Sequence, residues 1–288
     1  MPKYENLAVC GLPRSGTTWM HNALIASGRY RGILADDMED TSGASIFATD
    51  ENRVLHKLLF SLDGTDAGKT NLPAKVSTEL FVKIFKLRWN KKGVMLKSPY
   101  FCFFIENIYK LSVARKFIFI KRDLDAVSES MMRHPYIKTL LRGTYSSFFD
   151  FSSSEKNLEI EHVPSELLAD ILPNFDKLTE YDRALFKCLC FLSSFVERAR
   201  KLPPASVLII NYDTFLEDET SRRGLVDFAT LDETERESME ASYRRPKPIA
   251  MMPPHSKMLR NEILGTAAEL WQAWDLHAAG ACSKIPNP

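Results

Sequence analysis

Several things are scarce in this sequence, and each scarcity removes a class of protein. Its 288 residues hold five cysteines, Cys10, Cys102, Cys188, Cys190 and Cys282, an odd and scattered set that frames no disulfide scaffold. Cys188-Leu189-Cys190 lacks the spacing of a zinc knuckle and no His/Cys cluster accompanies it, so no metal site is expected. Buried thiols in a reducing compartment account for the pattern, and a cytoplasmic protein is expected. Long apolar runs are missing as well. Phe117 to Ile120 is typical of the longest, far short of the roughly 18 residues that a membrane helix needs. The opening residues Met1-Pro2-Lys3-Tyr4-Glu5-Asn6 carry charges and no apolar core of signal-peptide length, so no targeting segment is expected there. Neither sign of charge is in excess. A formal net charge of +1 argues against a broad nucleic-acid or membrane surface but is compatible with a local basic pocket.

What is present is an ordinary globular composition, 45% apolar and 26% charged. The length sits near the upper edge of what one core supports, and no repeat or linker divides it, so a single domain over residues 1–288 is expected. Leu7-Ala8-Val9-Cys10, Val94-Met95-Leu96, Lys116-Phe117-Ile118-Phe119-Ile120 and Val207-Leu208-Ile209-Ile210 are short continuous apolar runs, the pattern of parallel strands covered on both faces. Between them lie helical stretches. Thr17 to Ala26 and Leu80 to Trp89 are two, and Leu185, Leu189, Leu192 and Val196 form the apolar stripe of a longer one. Alternating strands and helices predict a three-layer α/β/α fold with a central, mostly parallel sheet. Ligands of such sheets bind beyond the carboxyl ends of the strands. Leu62 to Pro73 reads as an exposed loop. Tyr145 to Pro164, serine-rich around Phe148-Phe149-Asp150-Phe151, reads either as a loop closing over a substrate or as plain surface.

The first strand runs into Gly11-Leu12-Pro13-Arg14-Ser15-Gly16-Thr17-Thr18-Trp19. Gly11 and Gly16 permit a tight turn and close approach to a ligand, and Ser15, Thr17 or Thr18 can cap the helix that follows. Helix N–H groups then face an anion, and Arg14 adds a planar fork suited to phosphate or sulfonate oxygens. The loop lacks the Gly-Lys-Ser/Thr ending of nucleoside triphosphatases, so no hydroxyl after a lysine is there to hold magnesium.

Pro13 to Trp19 resembles the 5′-phosphosulfate loop of sulfotransferases that use 3′-phosphoadenosine 5′-phosphosulfate (PAPS). The resemblance implies that Arg14 contacts the 5′-phosphate and bridging oxygen and that Trp19 lies near the adenine. The strand run Lys116 to Ile120 leads into Lys121-Arg122, and Ser130 follows Arg122 at the eight-residue spacing of the family's 3′-phosphate pair. Asn211-Tyr212-Asp213-Thr214-Phe215-Leu216 is similar to the family's Tyr-Glu-Asp segment, which implies Tyr212 beside the adenine. Lys257, Arg260 and Gly265 resemble, more distantly, a basic segment that closes over the 3′-phosphate; Arg260 and Gly265 keep its spacing, while Asn261 and Glu262 replace its lysine and glycine. Leu96-Lys97-Ser98 resembles the family's active-site lysine segment, which implies that Lys97 steadies the departing charge.

The family's histidine base, one or three residues after that segment, has no counterpart, since Pro99 and Phe101 stand there. Some relatives use a carboxylate about twenty residues past the loop arginine, and here Asp36-Asp37-Met38-Glu39 fills that region. Crowded carboxylates raise one another's pKa, so Asp36 or Asp37, then Glu39, become candidate proton acceptors. His21, on the first helix, and His56, His134, His162 and His255 are further histidines to place. Tyr100, Phe101, Phe103, Phe104, Phe148 and Phe149 are expected to line an aromatic pocket. The function expected is sulfuryl transfer from PAPS to a hydroxyl or amine of a small-molecule acceptor. A small-molecule or nucleotide kinase, and a non-catalytic nucleotide-binding protein of the same fold, are the alternatives.

Overall fold

The computed structural model describes residues 5–32, 93–110, 112–148, 159–243 and 257–282. The expected helix Leu80 to Trp89 and the expected loop Leu62 to Pro73 lie outside these residues. Among the described residues the strands are β1 (Leu7–Gly11), β2 (Tyr30–Gly32), β3 (Gly93–Lys97), β4 (Lys116–Lys121) and β5 (Val207–Asn211). They form one sheet in the order β2-β3-β1-β4-β5, and every neighbouring pair is parallel. The four apolar runs anticipated as strands are β1, β3, β4 and β5. The edge strand β2 is not announced by the sequence, because three residues with Arg31 exposed carry no periodicity. It forms by pairing Arg31 beside Val94 of β3.

The helices are α1 (Thr17–Ala26), α2 (Ile105–Lys110), α3 (Leu124–Arg133), α4 (Pro135–Arg142), α5 (Tyr145–Phe148), α6 (Ser165–Ile171), α7 (Glu180–Ala199), α8 (Glu219–Ala229), α9 (Glu233–Ala241) and α10 (Lys257–Cys282). Successive strand residues face opposite sides, so each run feeds two cores. Ala8, Cys10, Leu96, Phe117 and Phe119 join residues of α3, α7 and α10 on one side. Leu7, Val9, Met95, Ile118 and Ile120 join residues of α1, α8 and α9 on the other. This is the three-layer α/β/α arrangement. Phe119 stacks on Phe195 of α7 with ring centroids 3.9 Å apart. Cutting Phe119 back to Ala would cost about 3–5 kcal/mol, because the cavity adds to the lost transfer energy.

Helix α7 is buried on nearly every side, and a capping box made by Thr179 and Asp182 sets its start. Its buried cations each find partners: Arg183 donates to the carbonyls of Leu141, Gly143, Phe175 and Asp176. Of the serine-rich stretch, residues 149–158 lie outside the described residues. Tyr145–Phe148 is a short helix, and Phe148 is buried against α7 rather than exposed. Cys10, Cys102, Cys188 and Cys190 are buried and unpaired, and burial pushes the Cys188 thiol up to about 12. No helix among the described residues is long and apolar enough to cross a membrane.

The strand order also locates a crevice. From β1 the chain passes outward to β2 and back through β3, then crosses to β4 on the other side of β1. The winding therefore reverses between β1 and β4, and the gap beyond their carboxyl ends is where such sheets bind ligands. The residues emerging there are the Gly11–Gly16 loop and Arg122.

Candidate functional site

The loop after β1 is a strained turn clamped from two sides. Ser15 N–H donates to the Leu12 carbonyl at 3.0 Å, and Arg14 takes φ 69°, a left-handed conformation that costs a non-glycine residue about 1–2 kcal/mol. Gly16 has φ 107°, and a Cβ there would lie 2.4 Å from the Tyr212 ring. Only glycine meets both demands. Gly16 is the N-cap of α1 and offers no side-chain cap, so none of Ser15, Thr17 or Thr18 caps the helix as the sequence suggested. The amides of the first turn are left for another acceptor. Ser15 Oγ is buried with no hydrogen-bond partner among the described residues, a second polar group of this loop that a ligand could satisfy.

Arg122, directly after β4, reaches into that loop. Its Nη1 donates to the Arg14 carbonyl at 3.2 Å, its Nε donates to Asp213 Oδ1 at 3.3 Å, and its guanidinium lies 4.7 Å from the centroid of the Tyr212 ring. The Arg122 side chain is only 9% exposed. Asp213 Oδ2 also accepts from the Asp123 N–H at 3.1 Å, while Asp123 caps α3 by accepting from Ala126 N–H at 2.8 Å. The strand ends of β4 and β5 and the start of α3 are thereby locked into one unit. Ser130 lies in α3, and Arg14 Nε approaches its Oγ at 3.5 Å. Arg14, Arg122, Ser130 and Tyr212, expected at one site, do converge.

Lys97 leaves the end of β3 and donates from Nζ to Thr18 Oγ1 in the first turn of α1 at 3.3 Å. Ser98 Oγ accepts from Tyr100 N–H at 3.2 Å and caps the 3₁₀ turn Pro99–Phe103. The sequence position of the absent histidine is therefore structural: Pro99 opens that turn and Phe101 is fully buried. The aromatic pocket is corrected in the same way. Phe101, Phe103, Phe104 and Phe148 are core residues, and only Tyr100 among the described rings keeps partial exposure. Phe149 lies outside the described residues.

Trp19, in α1, packs against Tyr212, Phe215 and Tyr243 with centroids 5.5, 5.7 and 5.5 Å away. Trp19 Nε1 and Tyr243 hydroxyl are buried without described hydrogen-bond partners inside this aromatic group. Tyr243 carries no motif in the sequence, and only the packing reveals it. Arg260, on α10, forms a two-point ion pair with Asp125 of α3, which also accepts from the Tyr181 hydroxyl. Burial alone would raise the Asp125 pKa, but the Arg260 and Tyr181 hydrogen bonds prevail and hold it below the ordinary carboxylate range. Arg260 thus reaches the helix that carries Ser130 with its guanidinium engaged.

Asp36, Asp37 and Glu39 lie outside the described residues. His21 is buried on α1, its Nδ1 3.2 Å from Asn22 Oδ1 and its Nε2 packed against Gly32. His134 is at the junction of α3 and α4, one turn beyond Ser130. Burial, then the nearby Arg14 charge, holds its pKa below the ordinary imidazole value, so it stays neutral near pH 7.

No protein-family model matches this sequence, and no curated protein matches it. Solved structures do match the fold. A sulfotransferase from Mycobacterium avium, STF9, superposes with TM-score 0.50 at 14% identity, over 95% of this chain and 76% of that one. The sulfotransferase domain of the curacin biosynthetic pathway superposes with TM-score 0.53 at 11% identity, over 92% of this chain and 98% of that one. The chain has the sulfotransferase fold.

Proposed function

We propose that this chain, built on the sulfotransferase fold, moves a sulfuryl group from PAPS to a hydroxyl or amine of a small-molecule acceptor. The observation that carries the reading is the meeting of two separate anion-binding elements at the β1/β4 crevice. One is the Arg14 loop with its uncapped α1 amides, and the other is Arg122 with Ser130. A donor with phosphate groups at both the 5′ and 3′ ends of an adenosine would use both elements. The unsatisfied groups agree with its chemistry: Ser15 Oγ suits a phosphosulfate oxygen, and Trp19 Nε1 with Tyr243 hydroxyl suits a purine edge.

PAPS supplies an activated sulfuryl group whose bond to the bridging phosphate oxygen breaks as the acceptor oxygen or nitrogen bonds to sulfur. The protein's share is alignment and charge stabilisation. Arg14 and Lys97 stand beside the first turn of α1 and would offset the charge that develops on the departing phosphate, worth on the order of a few kcal/mol per well-placed donor. Ser15, Gly16, Thr17 and Thr18 would hold the phosphosulfate, Trp19 and Tyr212 the adenine, and Arg122 with Ser130 the 3′-phosphate. Arg260 would steady α3 through Asp125. Asp36 or Asp37 would take the acceptor proton. The buried, unpaired thiols suit a cytoplasmic setting.

Thermal melting with 3′-phosphoadenosine 5′-phosphate (PAP) against ATP plus magnesium tests the reading. At about a hundred times its dissociation constant PAP should add roughly 2.7 kcal/mol of stability. A shift with ATP and magnesium and none with PAP would make the chain a kinase. Binding of PAP with no label moving from PAPS to any of a panel of phenols, alcohols and amines would make it a nucleotide-binding protein.

A further inference from the structure

We propose that Asp213 is the positioning residue that makes this site selective for a 3′-phosphorylated nucleotide; the inference rests on the donor reading above. A guanidinium has five N–H donors in one plane, and phosphate recognition depends on which edge of that plane is free. Around Arg122 the edges are already apportioned. Nε donates to Asp213, one hydrogen of Nη1 goes to the Arg14 carbonyl, and one π face is covered by Tyr212. Nη2 has no partner among the described residues. Asp213 therefore sets the rotation of the fork, and what it leaves available is the Nη1–Nη2 end.

Asp213 is itself held in place. Tyr212 N–H donates to the Lys121 carbonyl at 2.8 Å, which continues the β4–β5 pairing to the residue before it. Asp213 N–H donates to Asn211 Oδ1 at 3.1 Å, and its Oδ2 accepts from Asp123 N–H. Such a built carboxylate is a poor candidate for stability alone. It is 40% exposed, and ion pairs with one exposed partner contribute little to folding. As a negative charge beside an anion site it also opposes phosphate in general, so its benefit must come from aiming Arg122. The same guanidinium holds the carbonyl of Arg14 in its left-handed turn.

Calorimetric titration of PAP and of adenosine 5′-phosphate into wild type, Asp213→Ala and Asp213→Asn tests this, with the ligand-free melting temperature of each recorded. Wild type should prefer PAP by at least about tenfold. Asp213→Ala should lower that preference by about tenfold, the size of one misaligned charge-assisted hydrogen bond, with adenosine 5′-phosphate affinity little changed. Asp213→Asn should fall between, because its carbonyl oxygen can keep one of the two bonds, and it serves alone if the alanine variant does not fold. A general structural defect would weaken both nucleotides together. An unchanged or increased preference in the variants overturns the role of Asp213 and leaves the donor reading standing. A wild type that does not distinguish the two nucleotides overturns both.

Discussion

Arg14 and Ser130 stand 116 positions apart in the chain, yet the Nε of one is 3.5 Å from the hydroxyl of the other. The contact ties the loop after β1 to the helix after β4, which is the condition for one ligand to touch both. The two residues should fail differently. Ser130→Ala removes a neutral hydroxyl and should weaken PAP binding by about 1 kcal/mol, roughly fivefold. Arg14→Ala should also lower turnover by about a hundredfold, in line with loss of a donor that acts on charge developing in the transition state. Steady-state kinetics with labelled PAPS, alongside direct PAP binding, would separate the two.

Gly16 is expected to tolerate no side chain. Gly16→Ala meets the Tyr212 ring at 2.4 Å and also places a Cβ on a left-handed residue. Loss of PAP binding and a lower melting temperature should follow. Adding Tyr212→Ala relieves the clash but not the backbone strain, so stability should recover in part while nucleotide binding does not.

Lys187 on α7 joins chain segments from two places. Its Nζ donates to the Phe148 carbonyl at 2.8 Å and pairs with Glu159 at 2.6 Å, with side-chain exposures of 6% and 0%. Lys187→Met leaves a buried carboxylate without its cation and should cost about 3–5 kcal/mol in denaturant unfolding. Glu159→Leu in the same chain should restore part of that loss, since an apolar pair of similar size strands no charge. Equal instability of the single and double variants would show that the pair does not couple.

The Asp125–Arg260 pair sets an acid limit. Asp125 has a lower pKa in the folded chain than in the unfolded one, so in the window between them the unfolded chain binds more protons. Its stabilisation is full above the ordinary aspartate value of about 4 and is lost as the pH falls through the folded value. Asp125→Asn should lower stability at pH 6 and flatten its decline below about pH 4. Urea unfolding at pH 6, 4 and 3 would read this, and a parallel decline in both proteins would contradict it.

Asp36→Ala and Asp37→Ala should each leave PAP binding intact, and at least one should slow turnover by about a hundredfold or more, the range of general-base catalysis. Unchanged turnover in both would remove these carboxylates from the mechanism. His134→Gln would then be the next variant to assay, because a neutral imidazole sits close to the Arg14 charge.

Much of this molecule was legible before any coordinates. The continuous apolar runs of β1, β3, β4 and β5 can be buried only if covered on both faces, which already implies a parallel sheet between helix layers. The Arg14 loop and the Arg122–Ser130 spacing are local patterns, and local patterns survive in one dimension. What the sequence could not hold is anything that depends on chain segments meeting. The three residues of β2, the fate of Phe101 and Phe148 as core, and the Trp19–Tyr212–Phe215–Tyr243 group became visible only once the layers were packed. Asp213 and Asp125 are the clearest cases. Each is an ordinary aspartate in the sequence, and each becomes specific through an arginine brought to it from 91 or 135 residues away. Residue type and spacing determine which chemistry is available, because they act over a turn or a strand. Which charges face one another is decided by the tertiary structure, because electrostatic and hydrogen-bond energies depend on distance in space and not along the chain.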